Sequence, residues 1–157
     1  MIRRATVVAV GRLKGWAADG CEDYLGRLRR YFSAEILEVP EEDMNRRSAN
    51  EVLATEGERL LKRIPAGARV IALDREKGKP LSSEEFARKL GYLGVSGHSH
   101  VAFVLGGPLG LSQDLLERAD ERLSLGNVTL PHALARLVLL EQIYRAVKIE
   151  RGEKYHW

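Results

Sequence analysis

The chain has 157 residues, 45% of them hydrophobic and 30% charged, which suits about one domain with a buried core. No stretch approaches the ~20 apolar residues of a membrane span, and the single cysteine, Cys21, excludes an internal disulfide and a cysteine-built metal site. A net charge of +3 permits an anionic partner without demanding one.

The start, "MIRRATVVAVGRLKGW", has two early arginines and a short run that alternates like a strand. It lacks the longer apolar region and small-residue cleavage site of a signal peptide, so a cytosolic (cytoplasmic) protein is expected. Thr6–Val10 reads as a buried strand ended by Gly11. Tyr24, Leu25, Leu28, Tyr31 and Phe32 fall at helical spacing and predict a helix over residues 16–32. Residues 34–39 alternate like a strand and stop at Pro40. The charged stretch 41–47 reads as a loop. A helix follows from about Ser48 to Ile64, with Ser48 and Glu51 as a capping box and Leu53, Leu60, Leu61 and Ile64 as its apolar stripe.

Arg69–Leu73 is the third predicted strand, ending at Asp74 before a polar loop, "REKGKP". The next helix starts near Ser82 or Ser83, with Glu84 and Glu85 in the first turn, where the helix dipole favours them. "GVSGHSH" is a turn, and Val101–Leu105 is the fourth strand. Ser112 caps a short helix to about Asp120, and residues 123–125 form a brief strand. After the loop "GNVTLPH", Pro131 opens a last helix that runs to about Ile149. Helices alternating with short apolar strands predict an α/β fold with a largely parallel sheet. Ligands of such sheets bind beyond the C-terminal strand ends. Three ends therefore matter together: Leu73-Asp74, Leu105–Pro108 and Leu125–Leu130.

The stretch "VAFVLGGPLGLSQD" spends three glycines at one of those ends. Its spacing is neither a P-loop nor a dinucleotide fingerprint, since no Gly-Lys-Ser/Thr follows and the order is G-G-x-x-G. Pro108 also removes an N–H that a phosphate would need. Two readings stand: a tight turn, or backbone exposed to read an adenine edge between apolar walls. The last helix is apolar on nearly all sides through Leu134, Leu137, Val138, Leu139, Leu140, Ile143 and Val147, which marks it as buried, with one face available to a partner subunit.

The combination "VAVGRLK", "GGPLGLS", "LSLGNVTLPHALARLVLLEQIYRA" and "GEKYHW", in this order over essentially the whole chain, resembles the RlmH family of SPOUT-class methyltransferases. The resemblance implies a SPOUT-type α/β fold with a deep C-terminal trefoil knot, one methyltransferase domain over residues 1–157 and a homodimer. It implies S-adenosylmethionine as methyl donor and, as substrate, N3 of a pseudouridine in 23S ribosomal RNA within the assembled 70S ribosome. No metal and no membrane are expected. Carried over residue by residue, the cofactor loops are Leu73, Gly106, and the run Leu125, Gly126, Asn127, Val128, Thr129 and Leu130. None of these is basic, as a cationic sulfonium requires.

Four further residues are candidate catalytic groups. His132 is either a structural imidazole at the helix start or a polar group near the methyl or the target base. Arg136 is either an ion-pair partner or a clamp for a phosphate or the cofactor carboxylate. Tyr155 and His156 match the Tyr-His that closes family members. Tyr155 would stack on or hydrogen-bond the flipped base, and His156 would help remove the N3 proton. Trp157 departs from the family, which has Arg or Lys there. The implied chemistry is direct in-line transfer without a covalent intermediate. Arg3, Arg4, Arg12, Lys14, Arg29, Arg30, Arg46 and Arg47 are candidate RNA contacts. The rival readings are a knotted methyltransferase for transfer RNA and a ribosome-binding protein with impaired catalysis.

Overall fold

The computed structural model describes residues 1–155. Six strands form one sheet in the order β2-β1-β5-β3-β6-β4, and every neighbouring pair is parallel. In chain order the elements are β1 (Arg4–Val10), α1 (Gly15–Leu28), β2 (Ser33–Val39), α2 (Ala49–Arg63), β3 (Arg69–Leu73) and β4 (Lys79–Pro80), followed by α3 (Ser83–Val95), β5 (His100–Leu105), α4 (Gln113–Arg118), β6 (Glu121–Ser124) and α5 (His132–Glu150).

Both faces of the sheet are covered, as a parallel sheet demands. On β1, Ala5, Val7 and Ala9 point to a core shared with α1, α3 and α5 (Leu25, Leu90, Leu139, Ile143). Val8 and Val10 point the other way, to Leu60 of α2 and Leu115 of α4. This period-2 alternation with apolar residues on both faces makes the central strands read as unbroken hydrophobic runs. Burial of side chains such as Phe103 and Ile143, each 0% exposed, contributes about 1.5–3 kcal/mol apiece.

Three sequence expectations need correction. The first helix ends at Leu28, not Phe32. The Leu28 carbonyl accepts from both Tyr31 and Phe32 N–H, and Arg29 Nε donates 3.1 Å to the Ala34 carbonyl, turning the chain into β2. At α2 the capping box is half formed: Ser48 accepts from Glu51 N–H, but the Glu51 carboxylate takes the Ser48 hydroxyl at 3.1 Å. The complete reciprocal box is at Ser82 and Glu85. Finally, the loop after β3 contains β4, a two-residue edge strand too short for any periodicity. Its Pro80 is tolerated because an edge needs no second partner.

Candidate active site

The glycine loop after β5 is the tight turn that the sequence offered as one of two readings. Gly107 and Gly110 pair across it, Gly110 N–H donates to the Gly107 carbonyl at 3.0 Å, and Gly110 has φ +86°. A Cβ on Gly106 would lie 2.1 Å from the Gly110 carbonyl oxygen, so no side chain fits there. The same turn forms one wall of a cavity of about 540 Å³ at the C-terminal edge of the sheet, within the usual size range of small-molecule pockets.

The three strand ends gathered from the sequence meet in this cavity. Leu73, Gly106, Leu125, Gly126, Val128, Thr129 and Leu130 all line it. Asn127 belongs to the same loop but is not among the lining residues. The loop's shape is set locally: Ser124 Oγ donates to the Gly126 carbonyl (3.0 Å), Gly126 N–H returns the bond (3.1 Å), and Gly126 has φ +117°. Leu105, Gly107 and Pro108 of the second strand end also face the cavity, as do two residues that the sequence reading did not single out, Leu123 at the end of β6 and Ala135 on the first turn of α5.

One expectation is corrected here. The walls are not free of cations, because Arg75 lines the cavity beside Asp74. Arg75 directs its guanidinium to Glu76 at 3.6 Å, while Asp74 supplies a carboxylate at the same rim. Asp74 is held in place: its Oδ1 accepts from the Glu76 and Lys77 N–H groups at 3.1 and 3.3 Å.

His132 lines the cavity and pairs with Glu41, Nε2 to Oε1 at 3.6 Å. Arg136 lies one turn on and does not line it. The Arg136 side chain is buried, with the residue 1% exposed. Nη1 bonds the Glu38 carboxylate, and Nη2 donates to the carbonyls of Val10 (3.1 Å) and Gly11 (2.9 Å). Arg136 thus fastens the start of α5 to the ends of β1 and β2.

Tyr155 also lies outside the cavity. Its ring packs edge-on against Tyr144 at 4.9 Å, Arg145 covers it at 4.9 Å, and its hydroxyl donates to Glu141 at 3.3 Å. Burial, with Tyr24 and Glu141 nearby, holds the phenol well above its usual range. At neutral pH it is a hydrogen-bond donor and not a base. The expected Glu141–Arg145 pair is present at 2.9 Å from Nε. His156 and Trp157 lie outside the described residues.

Of the nominated RNA contacts, Arg4, Arg29, Arg46 and Arg47 have carboxylate partners. Among the described residues no cluster of three His, Cys, Asp or Glu side chains is arranged for a metal, and no helix is long and apolar enough to cross a membrane.

A doubly covered parallel sheet with a glycine-walled pocket where three strand ends meet describes a ligand-binding α/β protein of a definite type. The family described as "Predicted SPOUT methyltransferase" matches residues 3–156, and the chain belongs to it. Among its relatives, "Ribosomal RNA large subunit methyltransferase H" of Rubrobacter xylanophilus is 68% identical, covering 100% of both chains. The protein of that name from Alkaliphilus oremlandii is 50% identical over 96% of this chain and 98% of its own. Solved structures share the fold at low identity. The A. aeolicus TrmH/SpoU tRNA modifying enzyme has a TM-score of 0.50 at 13% identity, over 94% of this chain and 77% of its own. A Legionella pneumophila protein in complex with the bound cofactor SAM has a TM-score of 0.50 at 14% identity, over 93% and 66%.

Proposed function

We propose that the chain is a homodimeric methyltransferase of the large ribosomal RNA. It transfers the methyl of S-adenosylmethionine to N3 of a pseudouridine in 23S RNA within the assembled 70S ribosome. The observation that carries this is the pocket at the three strand ends, in a chain 68% identical to a ribosomal RNA large subunit methyltransferase H.

The residues fit the cofactor. Leu73, Leu105, Leu125 and Leu130 offer apolar walls for an adenine, and Gly106, Gly107 and Gly110 of the turn line the pocket with backbone. Asp74 also lines the pocket, its carboxylate paired with Arg122 at 3.9 Å. The cofactor's contribution is an electrophilic methyl. What the protein supplies is orientation, the largest part of the rate in a reaction between two positioned groups, and exclusion of water by leucine walls. Arg136 is a positioning residue in this reading, because it sets the α5 start that carries His132 and Ala135 to the pocket. The pseudouridine N3 proton must leave, and His132 and His156 are the residues proposed to take it.

Tyr155 lies back on α5 at Glu141, outside its own pocket, so its role is proposed for the pocket of the partner subunit. Leu134 and Val138, one turn apart on α5, are half-exposed apolar residues and supply the dimer face. The knot belongs to the same proposal. Residues 125–131 leave β6 beside β3 and reach an α5 start anchored at β1, and so cross the C-terminal ends of β3 and β5.

The test is to incubate the chain with S-adenosylmethionine and ribosomes lacking the modification, then digest the RNA and locate the added methyl by mass spectrometry. A methyl on N3 of one 23S pseudouridine supports the proposal. A methyl on another base or another RNA contradicts it.

A further inference from the structure

A short loop, residues 11–14, leaves β1 at the sheet edge that carries the pocket. It is fixed from two sides. Arg136 Nη2 donates to the Gly11 carbonyl at 2.9 Å, and the Leu13 N–H donates to Glu38 Oε2 at 2.9 Å, the carboxylate oxygen that also holds Arg136. Glu41, whose Oε1 pairs with His132, lies close beside the loop: a Cβ on Gly11 would come 2.9 Å from that oxygen. The loop is therefore mounted on the same turn of α5 that lines the pocket.

At the end of this mounted loop stands Trp16, 66% exposed. The opposite face of α1 is buried through Ala17, Cys21, Leu25 and Leu28, so the core does not claim the indole. A single exposed apolar residue is ordinary on a protein surface; Trp16 is singled out by its place next to a fixed loop that carries two cations. Arg12 and Lys14 precede it in the loop. Both are exposed, and neither has an acidic partner among the described residues, in contrast to Arg27 and Arg29, which are paired to Asp23 and Glu22.

We propose that Trp16, with Arg12 and Lys14, is a stacking platform for an unpaired base of the ribosomal RNA next to the target nucleotide. The indole takes the face of the base, and the two cations neutralise neighbouring phosphates. This inference rests on the ribosomal RNA reading above. A second copy of this chain is the weaker occupant, because interface cores are depleted of lysine.

The experiment uses the full chain and three variants: Trp16→Ala, Trp16→Phe and the double change Arg12→Ala with Lys14→Ala. Four quantities are measured on each: S-adenosylmethionine affinity, thermal midpoint, oligomeric state, and methyl transfer to unmodified 70S ribosomes across a salt series. For Trp16→Ala the first three stay at wild-type values, while kcat/KM for ribosomes falls about tenfold or more through KM, the scale of one base stack. Trp16→Phe recovers most of the loss. The double variant flattens the salt dependence by roughly two phosphate contacts.

Wild-type kcat/KM in Trp16→Ala overturns this inference alone. So does a change of oligomeric state in Trp16→Ala, which would put the indole between subunits. A wild-type chain that transfers nothing to ribosomes overturns the underlying reading and this inference together.

Discussion

Gly106 has no room for even a methyl group, with the Gly110 carbonyl 2.1 Å from where its Cβ would be. Gly106→Ala must therefore push the turn open. Overpacking of this kind costs about 1–3 kcal/mol, and calorimetry is expected to show cofactor affinity reduced by about tenfold or more. Arg136 is a different kind of residue, a buried cation that satisfies one carboxylate and two carbonyls. Arg136→Ala leaves these acceptors unpaired and is expected to cost about 3–5 kcal/mol in denaturant unfolding. Arg136→Lys recovers only part, because a single ammonium cannot reproduce the planar fork. Glu56 is buried with Oε1 unpartnered, and burial raises its carboxyl above the ordinary range. The folded state thus holds this proton more tightly than the unfolded chain does. Stability is withheld as pH rises from the ordinary carboxylate range through the raised value. Glu56→Gln, which keeps an acceptor for the Glu42 N–H, is expected to raise the thermal midpoint at pH 7 and to give no gain at pH 4.

At the scale of elements, what the sequence disclosed follows from how local each signal is. The runs Thr6–Val10, Arg69–Leu73 and Val101–Leu105 announced β1, β3 and β5, because strands buried on both faces are continuously apolar. The C-terminal ends of β3 and β5, with that of β6, then marked the pocket. The start of α3 was legible to within a residue, at Ser82 or Ser83, but the capping box was read at Ser48–Glu51 and forms in full at Ser82–Glu85. Other features were not local. Arg136 and Glu38 are 98 residues apart, so nothing nearby in sequence separates an ion-pair partner from a ligand clamp. β4 is defined only by its neighbour β6. Trp16 drew no notice as a surface residue, because periodicity over α1 cannot show that the core leaves it outside. The open side of α5 belongs to this scale too. Val138→Asp is expected to yield a monomer in sedimentation, since a carboxylate cannot be buried against an apolar partner face without a counter-charge. An unchanged oligomeric state would remove α5 from the dimer interface.

At the scale of the whole molecule, the sheet, its covering helices and the α5 anchor converge on one edge. The pocket walls come from β3, β5 and β6, while Arg136 ties the ends of β1 and β2 to the helix that closes the pocket. Tyr155 is held on the outside of this assembly by Tyr144, Arg145 and Glu141. Tyr155 of a single chain thus lies away from the cavity at the three strand ends, the arrangement expected if two copies share each site. The most direct test of the account is transfer of a labelled methyl from S-adenosylmethionine to three acceptors: assembled 70S ribosomes, free large subunits and naked ribosomal RNA. The account predicts label on the 70S particle alone, in one 23S pseudouridine. Label on naked RNA to the same extent, or on none of the three while the cofactor binds, would contradict it.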